Sequence, residues 1–343
     1  MADYQAVIQQ FPNHPAAQEA LLPLQEALGL AGRSGEFDKS MDIIRKANPT
    51  NPGLEGLEYE TAKNVYFDQQ YQKAIVSLNN FLTTYPQTTK AQEARYYLAE
   101  SHYRLRDYEK ALALYNELAN DNTFSMGSKV VSRIAEIEFK TGKYKEGIVS
   151  FHKLEKLATN KKDQYNAWSG LMETHFLLAQ YDSADVYARI ILEKGNINAG
   201  AQNKASLYLG KTAMARGDYE TAKDEFLNTL NAARDEYGAE AKYSLAQIFA
   251  AKKEYKQSNE TLMSLNTDFA AYESWVGKSY LLLADNFMAM DDIFQTRATL
   301  QSLIDNFPLQ AVKDEAKRKM QLLDQQQLDK QPKVETDTTE TNR

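Results

Sequence analysis

The sequence predicts an all-α solenoid, a row of helix-turn-helix units, from three observations. A bulky residue is followed three positions later by a small one eight times along the 343 residues. Successive pairs are 34 to 38 residues apart, a period typical of helical repeat arrays. Glycine and proline number only 15 and 8, which argues against sheets and long linkers. The pairs are Phe37/Ser40, Tyr71/Ala74, Tyr108/Ala111, Tyr144/Gly147, Tyr181/Ala184, Tyr219/Ala222, Tyr255/Ser258 and Ile293/Thr296.

The segment 91–120 shows how one unit is built. Leu98 and Leu105 belong to an apolar pattern with helical spacing, a polar dipeptide interrupts it, and Tyr108 and Ala111 restart it. We therefore expect two amphipathic helices joined by a tight turn. Ala111 is small because the two helices cross there, and a larger side chain would force their axes beyond the usual packing distance.

These residues resemble the tetratricopeptide repeat, whose pattern places Leu-Gly or Leu-Ala in the first helix, Gly-x-Tyr at the turn and a small residue three positions later. The resemblance implies a right-handed α-solenoid whose first helices line a concave face. It covers nearly the whole chain. The matching residues include Leu98-Ala99, Leu209-Gly210, Leu245-Ala246 and Leu283-Ala284 in first helices, and Gly142-Lys143-Tyr144 and Gly217-Asp218-Tyr219 at turns.

The same periodicity predicts the helix boundaries. The first helices are expected at 15–31, 54–68, 89–105, 127–141, 162–178, 200–216, 237–251 and 273–289. Their partners are expected to end near residues 47, 84, 119, 157, 194, 233, 265 and 306.

The chain is expected to divide into four parts. Residues 1–12 resemble only the second helix of a repeat, so we expect the chain to begin within a unit, and about eight repeats fill 13–308. Residues 309–329 have one apolar face and predict a helix that caps the last pair. Residues 330–343 have almost no apolar side chains, and we expect them to be disordered.

Composition excludes several classes of function. The net charge is −7, and lysine and arginine are scattered rather than clustered, which argues against a nucleic-acid partner. No apolar run approaches the roughly 18 residues of a membrane span. The absence of cysteine excludes disulfides and thiolate catalysis, and it favours an oxidising compartment.

No catalytic, cofactor-binding or metal-binding motif is present, so we expect a protein that is not an enzyme and needs no cofactor. The four histidines are His14, His102, His152 and His175. His102 and His175 occupy equivalent positions two repeats apart, roughly 20 Å if each repeat adds about one helix diameter, and cannot share a metal ion. We interpret them as helix histidines that are hydrogen-bonded to neighbours.

Counting back from each turn predicts a peptide groove on the concave face. Aromatic rings there would give contact area, and three glutamates at one position of consecutive repeats would select basic or amide-rich ligands. The alternative is that the rings pack between neighbouring first helices and the glutamates form a solvated face. The predicted partner-binding residues are Tyr59, Lys63, Tyr66, Tyr96, Glu100, Tyr103, Glu136, Phe139, Glu173, Phe176 and Lys211.

The sequence thus favours a non-enzymatic scaffold that binds a protein or peptide. Segments 81–86 and 302–308 look like the repeat endings of bacterial periplasmic and outer-membrane assembly factors. We therefore expect the C-terminal part of a larger envelope protein. The alternative is a cytoplasmic module that self-associates or regulates. The sequence specifies neither the partner nor the oligomeric state.

Overall fold

A helix-turn-helix unit repeats along the chain in a computed structural model, which describes residues 1–48, 54–120, 124–194 and 199–330. Those residues contain helices and no strand. The helices are α1 (Ala2–Gln10), α2 (Pro15–Glu19), α3 (Leu21–Leu30), α4 (Phe37–Ala47), α5 (Leu54–Phe67), α6 (Tyr71–Thr84), α7 (Ala91–Arg104), α8 (Tyr108–Ala119), α9 (Gly127–Lys140), α10 (Tyr144–Leu157), α11 (Lys161–Leu177), α12 (Tyr181–Lys194), α13 (Ala199–Ala215), α14 (Tyr219–Ala232), α15 (Glu236–Ala251), α16 (Tyr255–Asp268), α17 (Glu273–Ala289), α18 (Ile293–Asn306) and α19 (Gln310–Lys330).

Seven of the eight predicted first helices are found within two residues of their expected bounds. The helix expected over 15–31 is wrong as a single element, because the structure breaks it at Ala20 into α2 and α3. Pro23 explains the break. It has no N–H to donate to the carbonyl four residues earlier, and proline is tolerated only in the first turn of a helix.

The chain forms two units, Met1–Gly170 (unit one) and Leu171–Arg343 (unit two), with the division inside α11. In unit one each helix from α4 to α10 packs against the next, and α5 also packs against α7. In unit two the helices from α12 to α19 pack consecutively, and α13, α15 and α17 also contact one another in turn. Both units are therefore built from neighbouring helix pairs, as the repeat predicts.

Neighbouring repeats within a unit share a core. In unit one, a buried cluster contains residues of both helices of one pair and of the first helix of the following pair. Its members include Tyr59 and Val65 of α5, Leu78 and Phe81 of α6, and Leu98 of α7. Fully burying one such side chain contributes roughly 1.5–3 kcal/mol. A single pair cannot bury this set alone, so stability depends on stacking.

Small residues lie where the helices approach closely, as the sequence predicts. Ala99 and Ala111 of unit one share a buried cluster and are fully inaccessible to solvent. In unit two, a Cβ added at Gly210 would lie 2.5 Å from the ring of Phe226. Real Cβ contacts are never that short, so only glycine fits there unless the ring moves.

The turn between the helices of a pair has a constant backbone form. In seven turns the residue two positions before the bulky turn residue has a positive φ, between 55° and 79°. This left-handed residue ends the first helix, a common helix C-terminus in proteins. The residues are Gln69, Arg106, Gly142, Ala179, Gly217, Lys253 and Asp291.

At the C-terminus, α19 lies against the last pair. Val312 and Ala316 share a buried cluster with Leu300 and Leu303 of α18, and Leu323 is also buried. These contacts support the proposal that α19 caps the array. The predicted disordered tail at 330–343 lies outside the described residues, apart from Lys330.

Replacement of Ala111 tests the crossing point. We expect Ala111→Leu to lower the free energy of unfolding by about 1–3 kcal/mol, because the added atoms have no space in the cluster around Ala99. Urea unfolding followed by circular dichroism measures the change. The control is Ala113→Leu, an exposed position on the same helix. Equal midpoints for both variants would show that Ala111 does not lie at a crossing.

Replacement of Gly142 tests the turn. Gly142 has a φ of 76°, and the space that a Cβ would occupy is open, so Gly142→Ala adds backbone strain and no clash. We expect a loss of about 1 kcal/mol. Gly56 also has open space but lies within α5, so Gly56→Ala should be neutral or stabilising. Thermal unfolding of the two variants should shift in opposite directions or differ by several degrees, and coincident transitions would contradict this explanation.

Candidate functional site

A buried ion pair joins the first helices of two neighbouring repeats in unit one. Glu100 of α7 is 2% exposed, and Arg133 of α9 donates from Nε to its Oε1 over 2.7 Å. The Tyr115 hydroxyl of α8 donates to the same oxygen over 2.6 Å. The Glu100 carboxylate therefore has a cation and a hydroxyl in place of water, as a buried charge requires.

Arg133 also reaches a second carboxylate. Its Nη1 donates to Glu136 Oε2 over 2.9 Å, and Lys140 Nζ and the Tyr103 hydroxyl donate to Glu136 Oε1 over 2.7 and 2.5 Å. The guanidinium lies 4.4 Å from the centroid of the Tyr103 ring, within cation–π distance. We call Glu100, Arg133, Glu136 and Lys140 the charge ladder.

The charge ladder shifts the pKa values of its members. Burial alone would raise the pKa of Glu136, but donation from Lys140 and Tyr103 outweighs it and holds that pKa below the ordinary value. Burial opposes the charge on Arg133, yet the bonds to Glu100 raise its pKa. Burial, together with the charge of Glu100, raises the pKa of Tyr115. Glu136 therefore stays charged at neutral pH.

Unit two repeats this scheme with lysines. Lys204 Nζ lies 2.5 Å from Glu173 Oε1, and Lys211 Nζ lies 2.7 Å from Glu240 Oε1. Lys211 also lies 4.6 Å from the Tyr208 ring centroid. Burial, then the charges of Glu173 and Glu240, raises the pKa of Tyr208. A cation of one first helix thus binds a carboxylate of a neighbouring first helix in both units.

These pairs involve the three glutamates that the sequence predicts to select basic or amide-rich ligands, Glu100, Glu136 and Glu173. Each already accepts from a cation of a neighbouring or the same helix. The physical reason is that a half-buried carboxylate without a partner is costly, so neighbouring helices supply one. Lys63 is likewise paired, 2.7 Å from Glu60 on its own helix.

The predicted aromatic positions at the ends of first helices also pack within the protein. Each ring contacts the ring five residues later, at the start of the second helix. The pairs are Tyr66–Tyr71, Tyr103–Tyr108, Phe139–Tyr144 and Phe176–Tyr181, with centroids 5.7 to 5.9 Å apart. They close the turns within single repeats. Tyr66–Tyr97 and Phe176–Tyr208, with centroids 5.1 and 5.3 Å apart, join neighbouring first helices, which is the packing that the alternative describes.

Tyr59 is in the core and not on a surface. It is 1% exposed, its ring lies 5.5 Å from Phe81, and the ammonium groups of Lys63 and Lys90 lie 5.1 and 4.8 Å from its centroid. Its exclusion from solvent rules out direct contact with a partner in this conformation. Tyr96 is half-buried and contacts Tyr115.

One aromatic cluster on unit one does reach the surface. Phe67, the last residue of α5, is 58% exposed. Its ring lies 5.5 Å from Tyr97 of α7 and 5.4 Å from Tyr66, and Tyr97 lies 5.6 Å from Tyr96. We call Tyr66, Phe67, Tyr96 and Tyr97 the aromatic strip. It combines an exposed ring with rings fixed by their neighbours.

Sequence reasoning predicted Tyr66 and Tyr96 but missed Phe67, Tyr97 and Arg133. Arg133 has a sequence signal, because it precedes Glu136 by three residues on one helix and could pair with it. Phe67 and Tyr97 stand next to predicted residues. Adjacent residues of a helix point about 100° apart, so comparing equivalent positions of successive repeats did not select Phe67 and Tyr97.

Each histidine has a local partner, as interpreted from the sequence. His102 and His175 lie beside the residues five positions later, with Nδ1 3.1 Å from Asp107 and 2.6 Å from Gln180. The described part of the chain contains no group of three metal-ligating side chains. No helix in that part is long and apolar enough to cross a membrane.

Two segments match known family models. Residues 67–154 match the model of anaphase-promoting complex, cyclosome, subunit 3. Residues 278–309 match the model of the tetratricopeptide repeat. The first segment contains most of the aromatic strip and the whole charge ladder. A search of curated proteins found no match.

Solved structures share the fold at low sequence identity. The C-terminal part of a TPR repeat-containing protein from Cytophaga hutchinsonii is 15% identical, with a TM-score of 0.55, over 75% of this chain and 98% of that one. A signal-transduction ATPase with a tetratricopeptide repeat sensor from Pyrococcus horikoshii is 12% identical, with a TM-score of 0.56, over 93% of this chain and 51% of that one. A tetratricopeptide repeat protein from Parabacteroides merdae is 13% identical, with a TM-score of 0.47, over 76% of this chain and 98% of that one.

Breaking the buried pair tests the charge ladder. We expect Arg133→Met to lower the free energy of unfolding by about 3 kcal/mol, because the buried carboxyl group of Glu100 loses its cation. The double variant Arg133→Met, Glu100→Gln should recover at least half of the loss, since the neutral amide can still accept from Tyr115. Urea titration compares the three proteins. A double variant no more stable than the single one would contradict the explanation.

Acidification tests Glu136. Its folded-state pKa lies below the ordinary value of 4.5, so its stabilisation is complete above that pH and is lost as the pH falls through the folded-state pKa. The stability difference between the wild type and Glu136→Gln should therefore shrink from pH 7 to about pH 3.5. Glu117→Gln, an exposed change on α8, is the control and should show a small difference at every pH. A difference for Glu136→Gln that is constant with pH would contradict the pairing.

Proposed function

We propose that this chain, which has the tetratricopeptide repeat fold and matches the model of that repeat over residues 278–309, is a non-enzymatic scaffold that binds a protein or peptide through the surface formed by α5, α7 and α9 in unit one. Repeats of this fold generally mediate protein–protein interaction, which is the class of function the fold supports. We call this surface the first-helix face. The charge ladder and the aromatic strip both lie on it.

The observation that carries the proposal is the exposure of Phe67 within the aromatic strip. A ring that is 58% exposed yet held by Tyr66 and Tyr97 keeps its apolar area in water at little entropic cost on binding. Aromatic side chains of this kind supply much of the binding energy at protein interfaces. The charge ladder fixes α7 against α9 and so holds Tyr96 and Tyr97 in place.

The ladder also narrows the ligand chemistry. Arg133 and Lys140 neutralise Glu100 and Glu136, so the first-helix face does not require a strongly basic ligand. Contact with the aromatic strip instead favours a segment that carries apolar or aromatic side chains. We therefore propose that the aromatic strip leads recognition, in place of the selection of basic ligands by the three glutamates.

For the compartment, we propose the bacterial cell envelope. Two features support it: the chain has no cysteine, and its repeat endings at 81–86 and 302–308 look like those of envelope assembly factors. Fractionation of cells expressing the tagged protein from its own gene tests this. Recovery in the periplasmic or membrane fraction is expected, and recovery with cytoplasmic markers would favour the alternative.

A second candidate function is self-association through the second helices. Val76 and Val149 lie five residues after Tyr71 and Tyr144, and both are exposed in unit one. Equivalent exposed apolar residues on two second helices are suited to a contact with another copy. Light scattering across a concentration series measures it. Dimers that dissociate in Val149→Ser would favour this candidate.

Replacement of Tyr97 tests the scaffold. The immobilised wild type should retain a partner from extract of the native cells, and Tyr97→Ala should weaken binding of the purified partner at least about fivefold. Leu105→Ala, an exposed apolar side chain just after α7, is the matched control and should leave affinity unchanged. Circular dichroism checks that each variant is folded. Equal affinity for wild type and Tyr97→Ala would place recognition elsewhere.

A further inference from the structure

A cavity of about 440 Å³ opens between the ends of α3 and α5 in unit one, next to the aromatic strip. Its lining includes Leu30, which is 93% exposed, and Phe67. Two apolar side chains thus stand at one opening with their surface in water. An isolated exposed leucine is ordinary, but two beside a cavity of this size form a place where a ligand side chain can be buried.

The cavity contains a hydroxyl without a partner. Ser34 is 3% exposed, and its Oγ makes no hydrogen bond to any described residue. The backbone N–H of Ser34 donates to Asp68 Oδ2 over 3.1 Å, which fixes the residue at the cavity wall. Because the oxygen is closed to solvent, the Ser34 hydroxyl belongs to the wall of the cavity and is not a ligand contact in this conformation.

The charge of the lining is negative. Glu26 and Asp68 both contribute to it, and no lysine or arginine does. Within the described residues neither carboxylate is paired with a cation, in contrast to the charge ladder, where Arg133 and Lys140 neutralise the glutamates. A cation near this opening therefore meets a charge that the protein has left uncompensated.

We propose that this cavity receives one large apolar side chain of a partner peptide, with lysine or arginine next to it in the peptide. The apolar side chain enters between Leu30 and Phe67, and the flanking cation lies near Glu26 and Asp68. This inference rests on the proposed function, since it names the anchor of the same recognition surface. The basic selectivity expected from the sequence is thereby assigned to residues that the sequence did not indicate.

The test uses a labelled peptide, acetyl-Lys-Lys-Phe-Lys-Lys-amide, titrated with the full chain and followed by fluorescence polarisation. Replacing its phenylalanine by serine should weaken binding at least about tenfold, because the complex loses the free energy of burying one aromatic side chain. Replacing its lysines by glutamates should abolish binding. Equal affinity for the phenylalanine and serine peptides would show charge attraction alone and would overturn the proposal.

Matched variants locate the site. Leu30→Ser and Glu26→Lys should each lower the affinity for the peptide at least about tenfold. Leu22→Ser changes another exposed leucine of α3, and Glu19→Lys changes an equal charge, both outside the cavity lining, so both should bind like the wild type. Wild-type affinity in Leu30→Ser and Glu26→Lys would overturn the proposal, and so would equal losses in the controls.

Ser34→Ala is a further control. Because the hydroxyl has no partner and is closed to solvent, its removal should leave the thermal midpoint unchanged or raised and the peptide affinity unchanged. A loss of affinity as large as that of Leu30→Ser would show that the variants act through the fold of this segment and would overturn the proposal. Failure of the cavity proposal can be told apart from failure of the proposed function. If the cavity variants bind the peptide like the wild type while partner binding still depends on Tyr97, only the cavity proposal is wrong. If partner binding is independent of Tyr97, the first-helix face is not the recognition surface.

Discussion

Within each unit, a helix pair leaves an apolar face uncovered until the next first helix packs on it, and the rest of the structure follows from that constraint. The cluster that joins α5, α6 and α7 is one example, because Leu98 completes a core begun by Tyr59 and Phe81. Close stacking requires small residues at the crossings, such as Ala111, and turns of constant form with a left-handed residue. Function is then confined to what stacking leaves at the surface.

Stacking also explains why several half-buried or buried charges of the first helices are paired with one another. When α7 and α9 pack side by side, Glu100 loses its water and needs Arg133. The same exchange recurs in unit two between Glu173 and Lys204. These pairs hold the first helices in register and remove their own charges from recognition. What remains for a partner is the exposed ring of Phe67 and the unpaired carboxylates near Leu30.

The repeat period predicted the helices well because turn chemistry and helix crossings are local and recur at fixed spacing. It failed at residues 15–31, where apolar spacing continues through Pro23 and conceals the missing hydrogen bond. The burial of Glu100 could not be predicted from its own repeat, because its partner Arg133 lies 33 residues away in the next repeat. The cavity at Ser34 depends on how a loop closes against α5, and no sequence pattern encodes that geometry.

We propose that the partner binds the first-helix face of unit one, formed by α5, α7 and α9, with the cavity at the end of α3 beside it. Hydrogen exchange measured by mass spectrometry, on the full chain with and without a partner purified through it, tests this claim most directly. Amides at the C-terminal ends of α3 and α5 and along α7 should become protected on binding, while those of α6 and α8 stay unchanged. Protection confined to α6 and α8 would contradict the account and place recognition on the second helices.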